Sequence, residues 1–450
     1  MERERRRREI FTLCILAIGW AYLAVHTLRE RDIRWLQLLF LIFAVYGSLL
    51  LLAGLAGGRR ARSPRRGSPN ASWPFVSILV PAKNEEKVIG EAIKHLCSLD
   101  YHDAQGARNY EVIVIEDRST DGTGAVLEGL QRLYPFQVVR PPVGSNPGKA
   151  AALNVGLRAC RGQVVAVFDA DAIVPRDFLK RTVPYLNAPE VGAVQARKLV
   201  SNGRRNLLTR TQEDEYAIFQ VLLQRSRSLL GGYVSLAGNG MVLRREVLEA
   251  MGGWNERALT EDLDMTLRLT LHGWQIRYCE EAVVWEEAVG RWRSLFLQRA
   301  RWTEGALQCF FQYLPDLLFR YEISWVRRLD ALFFYSSALL LPLALLTSYL
   351  YAVVSFLEGE TLSVTLPEPA LTLGSAVFTA SAFLSMLQEI RNLPRAIVAF
   401  LRFGVFTVYQ IVATPLALYH YLRSFWTGRI EWAKTEHEGA SLHGFWWGRE

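Results

Sequence analysis

Two long apolar segments near the amino terminus constrain the fold of this chain more than any other feature. Residues 10–28 and 35–56 are almost free of charge, and each is long enough to cross about 30 Å of hydrocarbon as one helix. Five arginines precede the first segment and five follow the second, whereas the short turn between the segments holds three. Because arginine-rich flanks stay in the cytoplasm, the pattern predicts a membrane hairpin with both ends inside the cell.

The composition fits a membrane protein with a substantial soluble part. Half of the 450 residues are hydrophobic, and the formal net charge is +8. The arginine runs carry no interleaved aromatic residues and no groove-reading motif, so we expect no nucleic-acid partner. The five cysteines form no Cys-x-x-Cys pair, which argues against a zinc site and a disulfide framework and favours a reducing compartment.

After a linker rich in serine, proline and glycine, short apolar runs alternate with amphipathic stretches. Strands are predicted at residues 76–80, 110–115 and 164–168, and helices at residues 85–98, 124–134 and 149–159. This alternation predicts an α/β fold with a mostly parallel sheet that has helices on both faces. In such sheets ligands bind at the carboxyl ends of the strands.

The carboxyl-terminal third is apolar again. We predict an interfacial helix at residues 306–318 and candidate spans at 331–356, 370–387 and 396–421, with Arg402 and Pro415 interrupting the last. Whether that last segment crosses the membrane, and on which side the tail lies, stays open. The expected segments are the hairpin (1–58), a basic linker (59–74), a cytoplasmic domain (75–305), the interfacial region (306–328), membrane helices (329–423) and a tail (424–450).

Acidic residues follow two of the predicted strands. Asp169 and Asp171, in Asp-Ala-Asp, come directly after a buried strand, and Mg²⁺ prefers one or two carboxylates completed by phosphates and water. We expect Asp171 to hold a metal ion and Asp169 to share it or to contact a ribose. Asp117 also ends a strand; taken alone, it fits an Asx turn at least as well as a nucleotide contact.

Two further motifs at helix starts are candidates for the nucleotide side of a site. Pro81-Ala82-Lys83-Asn84-Glu85 closes the first strand, and we expect Ala82 and Glu85 to face a base or ribose, although such strand-to-helix turns are common. Lys149 lies at the start of a helix, where a cation is locally unfavourable. We interpret it as a phosphate contact, with a surface lysine as the alternative.

Two motifs later in the chain are candidates for catalysis. In Thr260-Glu261-Asp262, Asp262 is the candidate general base; the alternative is that acids in a first helical turn complement the helix dipole. Gln298, Arg301 and Trp302 share one helical face by their spacing. Arg301 would meet a diphosphate and the other two would stack on an acceptor, unless the arginine–tryptophan pair is only an interfacial anchor. Glu261 is placed with this acceptor and diphosphate group.

The order of these motifs resembles that of the membrane-integrated family 2 glycosyltransferases, over about residues 74–305. The family includes cellulose, hyaluronan and poly-N-acetylglucosamine synthases, and the resemblance implies a GT-A (Rossmann-like) fold and an inverting transfer from a UDP-sugar. It implies that Asp117 contacts uracil, that Asp169 and Asp171 contact ribose, diphosphate and Mg²⁺ or Mn²⁺, and that Asp262 is the base. Glu116 replaces the aspartate more usual at its position.

A narrower resemblance is to bacterial β-monoglucosyldiacylglycerol synthases, which move glucose from UDP-glucose to diacylglycerol. It lies in the segments 191–198, 238–240, 252–256, 302–305 and 432–437. The chain departs from that group in having Glu261 where an aspartate is expected, which favours the polymer synthases.

The sequence therefore predicts a multi-pass plasma-membrane enzyme with a cytoplasmic catalytic domain. Its expected partners are a UDP-sugar donor, the lipid bilayer, and either a membrane lipid such as diacylglycerol or a growing glycan as acceptor. A processive polysaccharide synthase is the main alternative. A non-catalytic sugar-nucleotide-binding protein and a transporter are the alternatives outside this enzyme class, and no internal repeat supports the transporter.

Overall fold

The computed structural model describes most of the chain. The described residues are 2–57, 73–320, 322–359, 369–407, 410–427 and Gly439. The second arginine run, most of the linker and the 432–437 motif lie outside them, and the side chains of residues 2–9 are not described.

Seven strands of the described chain form one sheet, as the α/β prediction requires. They are β1 (Val76–Ala82), β2 (Tyr110–Glu116), β3 (Gln137–Val139), β4 (Val164–Val167), β5 (Val191–Val200), β6 (Met241–Arg244) and β7 (Gln275–Glu286). Their order is β3-β2-β1-β4-β6-β5-β7, and every neighbouring pair is parallel except for the two pairs made by β6. The predicted mostly parallel sheet is confirmed, with one antiparallel strand near its middle.

Helices cover both faces of this sheet and continue into the apolar ends of the chain. In chain order they are α1 (Glu2–Glu30), α2 (Arg34–Gly57), α3 (Ile89–Leu96), α4 (Thr123–Leu130), α5 (Lys149–Ala159), α6 (Phe178–Thr182), α7 (Leu207–Tyr216), α8 (Gln224–Leu230), α9 (Arg245–Ala250), α10 (Glu261–Leu271), α11 (Trp292–Phe319), α12 (Trp325–Leu357), α13 (Pro369–Ile390), α14 (Leu393–Thr407) and α15 (Gln410–Thr427). A 3₁₀ turn (Val183–Asn187) follows α6, and a π-helical turn (Ala217–Leu223) joins α7 to α8.

The sheet is buried on both faces because its strands are runs of β-branched and apolar residues with alternating side chains. In β1, Ile78 and Val80 pack with Ile93 of α3 on one face. Leu79 packs with Leu153 of α5 and Met265 of α10 on the other. The two layers fix the carboxyl edge of the sheet relative to the amino-terminal ends of α5 and α10.

Four described helices are long and apolar enough to cross a membrane. The segments are Ile10–Glu30, Arg34–Gly57, Trp325–Leu357 and Thr372–Ile390. Residues 396–421, expected as a candidate span, contribute to α14 and α15, and residues 408 and 409 between these helices are not described. The guanidinium of Arg402 on α14 makes two hydrogen bonds, of 2.7 and 3.2 Å, to the carboxylate of Asp214 on α7. The charge that interrupts this apolar segment therefore faces the sheet domain.

Ion pairs with little exposure to solvent join the apolar helices to the sheet domain. Arg225 of α8 is 1% exposed; it pairs with Glu280 of β7 and lies 3.5 Å from Glu389 at the end of α13. Arg197 of β5 also pairs with Glu389. These contacts fix the end of α13 to the strands that carry the far edge of the sheet.

The two ends of α12 contact different parts of the chain. Near its start, Asp330 pairs with Arg227 of α8 at 3.1 Å and accepts a hydrogen bond from Tyr46 of α2. Near its end, Ser355 accepts a hydrogen bond of 3.4 Å from Arg31, in the turn between α1 and α2. The helix thus leads away from the sheet domain toward that turn.

The region expected as a separate interfacial helix is the second half of α11. Leu307, Phe310 and Phe311 are buried in a cluster with residues of α12 and α15. The expected domain boundary at residue 305 falls inside this continuous helix.

Candidate active site

A buried cluster of charges forms where the carboxyl edge of the sheet meets the starts of α5 and α10. The ammonium of Lys149 lies 2.6 Å from Asp169 Oδ1 and 2.9 Å from Glu261 Oε1, and it donates a hydrogen bond of 3.1 Å to the carbonyl of Gly238. Three residues that lie far apart in the sequence are therefore in direct contact. The cation at the start of α5 is stabilised by these two carboxylates, which explains the local misfit.

The proton affinities in this cluster depart from their ordinary values. Burial and the neighbouring Glu261 raise the pKa of Asp262 to about 7, although nearby lysine side chains act in the opposite direction. Burial alone would lower the pKa of Lys149, but the contacts with Asp169 and Glu261 outweigh it and raise that pKa. Burial lowers the pKa of Arg301. The carboxylates of Glu261, Asp169 and Asp262 oppose this shift, so the guanidinium of Arg301 faces them.

Asp117 organises the loops beside this cluster. Its Oδ1 accepts two hydrogen bonds from Arg118, of 2.9 and 2.7 Å, and its Oδ2 accepts one of 3.1 Å from the backbone of Gly148, which precedes α5. Its own backbone donates to the carbonyl of Ala82 at 2.8 Å. Because Asp117 holds the start of α5, it also holds Lys149 in position.

The 82–85 motif is joined to the loop after β2 and to the start of α4 by hydrogen bonds between backbone amides and side-chain oxygens. The amide of Glu85 donates to Thr123 Oγ1 at 2.7 Å, and Asn84 Oδ1 accepts from the amide of Thr120 at 2.7 Å. Asn84 has a φ of +56°, which asparagine tolerates better than most residues. The 82–85 motif and the loop after β2 thus form one continuous surface at the carboxyl ends of β1 and β2.

Asp169 and Asp171 are the candidate metal ligands. Asp171 is 9% exposed, and its Oδ2 accepts a hydrogen bond of 2.8 Å from the amide of Glu287, which orients the carboxylate. Among the described residues, no group of three or more histidine, cysteine, aspartate or glutamate side chains is placed to hold a metal ion. Two carboxylates fit a divalent ion whose coordination is completed by phosphate oxygens and water.

The segment of α11 from Gln298 to Trp302 contains two arginines with different roles. Arg299, which the sequence analysis did not single out, pairs with the buried Glu215 at 2.5 Å and lies 4.1 Å from the ring centroid of Trp302. Arg301 faces the acidic cluster, and Gln298 is half-buried one turn before Trp302. The motif therefore contributes one structural arginine and one arginine at the site.

A second group of charged residues lies behind Trp302 and was missed by sequence reasoning. Lys198 and Glu286 pair at 3.0 Å, and Tyr216 and Asn239 both donate hydrogen bonds to Glu286. The signal was present, because Glu286 and Glu287 follow the apolar run 282–285 just as Asp169 follows an apolar run. Gly439 also reaches this region, where its amide donates to Glu287 Oε2 at 3.3 Å. Gly439 therefore lies against the sheet domain.

Gly305 allows α11 to pack against the start of α10. A methyl group at this position would lie 2.9 Å from Thr260 Cβ and closer still to the two γ atoms. Thr260 precedes Glu261 as the N-cap residue of α10, and its side chain makes no capping hydrogen bond. The close approach places the candidate base and Arg301 on two helices in contact.

Replacing Gly305 with alanine is expected to destabilise the protein by about 1–3 kcal/mol, because the added methyl group must displace Thr260 or α11. The change would be measured as a lower melting temperature in detergent. Gly90→Ala is the matched control, since Gly90 is also helical and has no atom within 4 Å of the added methyl group. Equal melting temperatures for the two variants would contradict the packing argument.

The sequence is similar to known proteins over much of its length. A sequence model of the family described as "Glycosyltransferase like family 2" matches residues 74–305. The chain is 38% identical over 352 residues to a beta-monoglucosyldiacylglycerol synthase of Synechocystis sp., covering 77% of this chain and 71% of that protein. It is 35% identical over 383 residues to the enzyme of the same name from Trichormus variabilis, covering 82% and 78%.

A solved structure shows the same fold. The mannosyltransferase PcManGT from Pyrobaculum calidifontis, in complex with GDP-Man and Mn²⁺, superposes with a TM-score of 0.58 at 22% sequence identity, covering 86% of this chain and 99% of that one. The fold and the sequence comparisons point to the same class of enzyme. The chain belongs to the family 2 glycosyltransferases.

Proposed function

We propose that this enzyme transfers glucose from UDP-glucose to the hydroxyl of diacylglycerol in the membrane. The products are β-monoglucosyldiacylglycerol and UDP. The observation that carries the proposal is the cluster in which Lys149, Asp169 and Glu261 meet beside Asp262. The choice of glucose and diacylglycerol is supported by the two relatives named above, which align over most of the chain.

The reaction is a single displacement at the anomeric carbon. Asp262 takes the proton of the acceptor hydroxyl, and the acceptor oxygen bonds to the anomeric carbon on the face opposite the diphosphate. The bond between that carbon and the diphosphate oxygen breaks, and UDP leaves with the electron pair. The configuration is thereby inverted. A positioned base of this kind contributes typically 10²- to 10⁴-fold to the rate.

Cationic side chains stabilise the leaving diphosphate. Lys149 and Arg301 face the same carboxylate cluster from α5 and α11, and the charge that develops on UDP is placed next to them. Asp169 and Asp171 would hold Mg²⁺ or Mn²⁺, which would supply further neutralisation of the diphosphate charge. Asp117, Ala82 and Glu85 form the surface on which we place the nucleotide, and Gln298 and Trp302 flank the acceptor.

The packing of the membrane helices favours a lipid acceptor over a growing glycan. A polymer must pass through the membrane, so a synthase needs a polar channel next to the acceptor site. In the described part of α11, α12 and α15, the region after Trp302 is filled by buried side chains, among them Phe311, Tyr335 and Tyr421. A lipid hydroxyl at the headgroup level needs no such channel.

The contacts of the apolar helices support a cytoplasmic catalytic domain with four membrane spans. In this arrangement α1 and α2 form the amino-terminal hairpin and α12 and α13 form a second one. The catalytic domain contacts the start of α12 and the end of α13, so both lie on the domain's side. The arginine-rich flank before α1 places that side in the cytoplasm.

The proposed function is tested with purified protein, Mg²⁺ or Mn²⁺, labelled UDP-glucose and diacylglycerol in detergent. We expect one labelled lipid on a thin-layer plate, absent without diacylglycerol and abolished by a chelator. Labelled polymer at the origin would support the processive alternative instead. Absence of UDP release with several UDP-sugars would overturn the enzymatic proposal.

The pH dependence of transfer should report Asp262. The base works only when it is deprotonated, so kcat/KM is expected to fall as the pH drops through about 7, by about tenfold per pH unit below it. An ordinary aspartate would remain active down to about pH 4. Initial rates across this range, at saturating metal, distinguish the two. A flat profile down to about pH 5 would contradict the raised pKa.

A further inference from the structure

Lys198 and Glu286 form a buried ion pair that the reaction steps above do not use. We infer that this pair is a positioning pair for the acceptor: it fixes Trp302 and the Gly238–Asn239–Gly240 turn around the place where the acceptor hydroxyl must lie. The inference rests on the proposed function, in which Asp262 activates a hydroxyl beside Trp302.

The ammonium of Lys198 lies between two aromatic rings. It is 5% exposed, 5.5 Å from the ring centroid of Tyr216 and 6.0 Å from that of Trp302. It also donates a hydrogen bond of 3.0 Å to the carbonyl of Ala237. A cation at this distance attracts the face of an indole, so Lys198 acts on Trp302 together with Arg299, which lies 4.1 Å from the same ring centroid.

Glu286 collects donors from three elements. Its Oε2 lies 3.0 Å from the Lys198 ammonium and accepts a hydrogen bond of 3.2 Å from Asn239, and its Oε1 accepts one of 2.5 Å from Tyr216. Asn239 Oδ1 in turn accepts from the amide of Asp169 at 3.2 Å. One carboxylate therefore connects the end of β7, α7 and the turn before β6 to the candidate metal site.

The turn transmits this position to the candidate base. Gly238 has a φ of +76°, and a methyl group there would lie 3.2 Å from Asp262 Oδ2 and 3.3 Å from Lys149 Nζ. Its carbonyl accepts the hydrogen bond from Lys149. If this turn moved toward the site, it would therefore press against both Asp262, the candidate base, and Lys149.

The sheet order places the pair on the acceptor side. Asp117 and Ala82 follow β2 and β1, whereas Lys198 and Glu286 lie on β5 and β7, on the other side of β4. The adjacent residue Arg197 points to Glu389 of a membrane helix. Loss of the pair should therefore disturb the approach of a membrane acceptor while leaving the nucleotide surface intact.

The test measures donor and acceptor constants separately in Lys198→Met. We expect KM for diacylglycerol to rise at least about tenfold, KM for UDP-glucose to stay within about twofold, and UDP release to water without acceptor to persist. Glu286→Gln, which keeps the shape of the side chain, should show the same split if the methionine variant fails to fold. The double variant should raise KM for diacylglycerol no more than Lys198→Met alone does, because both changes remove the same interaction.

Parallel increases in both KM values, or unchanged transfer, would overturn the inference. Amide hydrogen exchange provides a readout that does not depend on the acceptor's identity. In Lys198→Met, exchange should accelerate at residues 237–240 and not at residues 82–85; equal protection at both would also overturn it. If the wild-type enzyme labels no diacylglycerol, the proposed function fails, and the exchange result still decides the role of the pair.

Discussion

Replacing Asp262 with asparagine is expected to reduce sugar transfer by about 10²- to 10⁴-fold and to leave UDP binding unchanged. Asparagine has the same shape and can still accept the hydrogen bond of 2.8 Å that Asp262 Oδ1 receives from the amide of Leu263. It cannot take a proton from the acceptor. Initial rates of glucolipid formation and calorimetric binding of UDP measure the two effects separately.

Asp177→Asn is the matched control for this substitution. This substitution makes the same chemical change at a partly exposed position, where Asp177 pairs with Arg181. Transfer by this variant should stay at the wild-type rate. Full transfer by Asp262→Asn would remove Asp262 from the role of base. Loss of UDP binding in that variant would instead indicate damage to the whole charge cluster.

Replacing Arg225 with methionine is expected to destabilise the protein by about 3–5 kcal/mol, the usual result of removing one partner of a buried ion pair. Methionine fills much of the same volume but leaves Glu280 without its bidentate partner and Glu389 with only Arg197. The expected result is a large fall in the melting temperature and in the yield of folded protein from membranes.

An exposed ion pair provides the control for Arg225. Arg161 pairs with Glu111 at 2.8 Å, but its side chain is 74% exposed. Pairs of this kind contribute about 0–1 kcal/mol, so Arg161→Met should unfold close to the wild-type temperature. Similar melting temperatures for the two variants would show that the pair at Arg225 is not buried in the membrane-embedded protein.

Local patterns predicted three of the seven strands in the described part of the chain and the edge of the sheet at which the candidate residues lie. The runs at Val76–Ala82 and Tyr110–Glu116 are rich in β-branched residues, and an acid after a buried strand must lie at the carboxyl edge. That rule placed Asp169 at this edge without any knowledge of strand order. The pairing of Lys149 with Glu261 is not a local property, but both residues begin helices at the same edge.

The remaining features depend on which distant elements become neighbours. The antiparallel direction of β6 follows from the path of the chain through α7 and α8. The hydrophobic pattern of the strand does not indicate its direction. The pair of Lys198 and Glu286 requires β5 and β7 to lie side by side. The packing role of Gly305 cannot be read from its helix alone. It becomes apparent only when Thr260 is placed against it.

The ion pairs between the sheet domain and the late helices α13 and α14 also set an order of events during synthesis. Asp214 and Arg402 are 188 residues apart, and Arg197 and Glu389 are 192 residues apart. At about 5–20 residues per second, a ribosome needs about 10–40 s to supply the second member of each pair after the first. During that interval the emerging domain carries charged side chains whose partners do not yet exist. Its final structure can therefore form only after α13 and α14 have been synthesised, so the sheet domain does not mature ahead of these late helices.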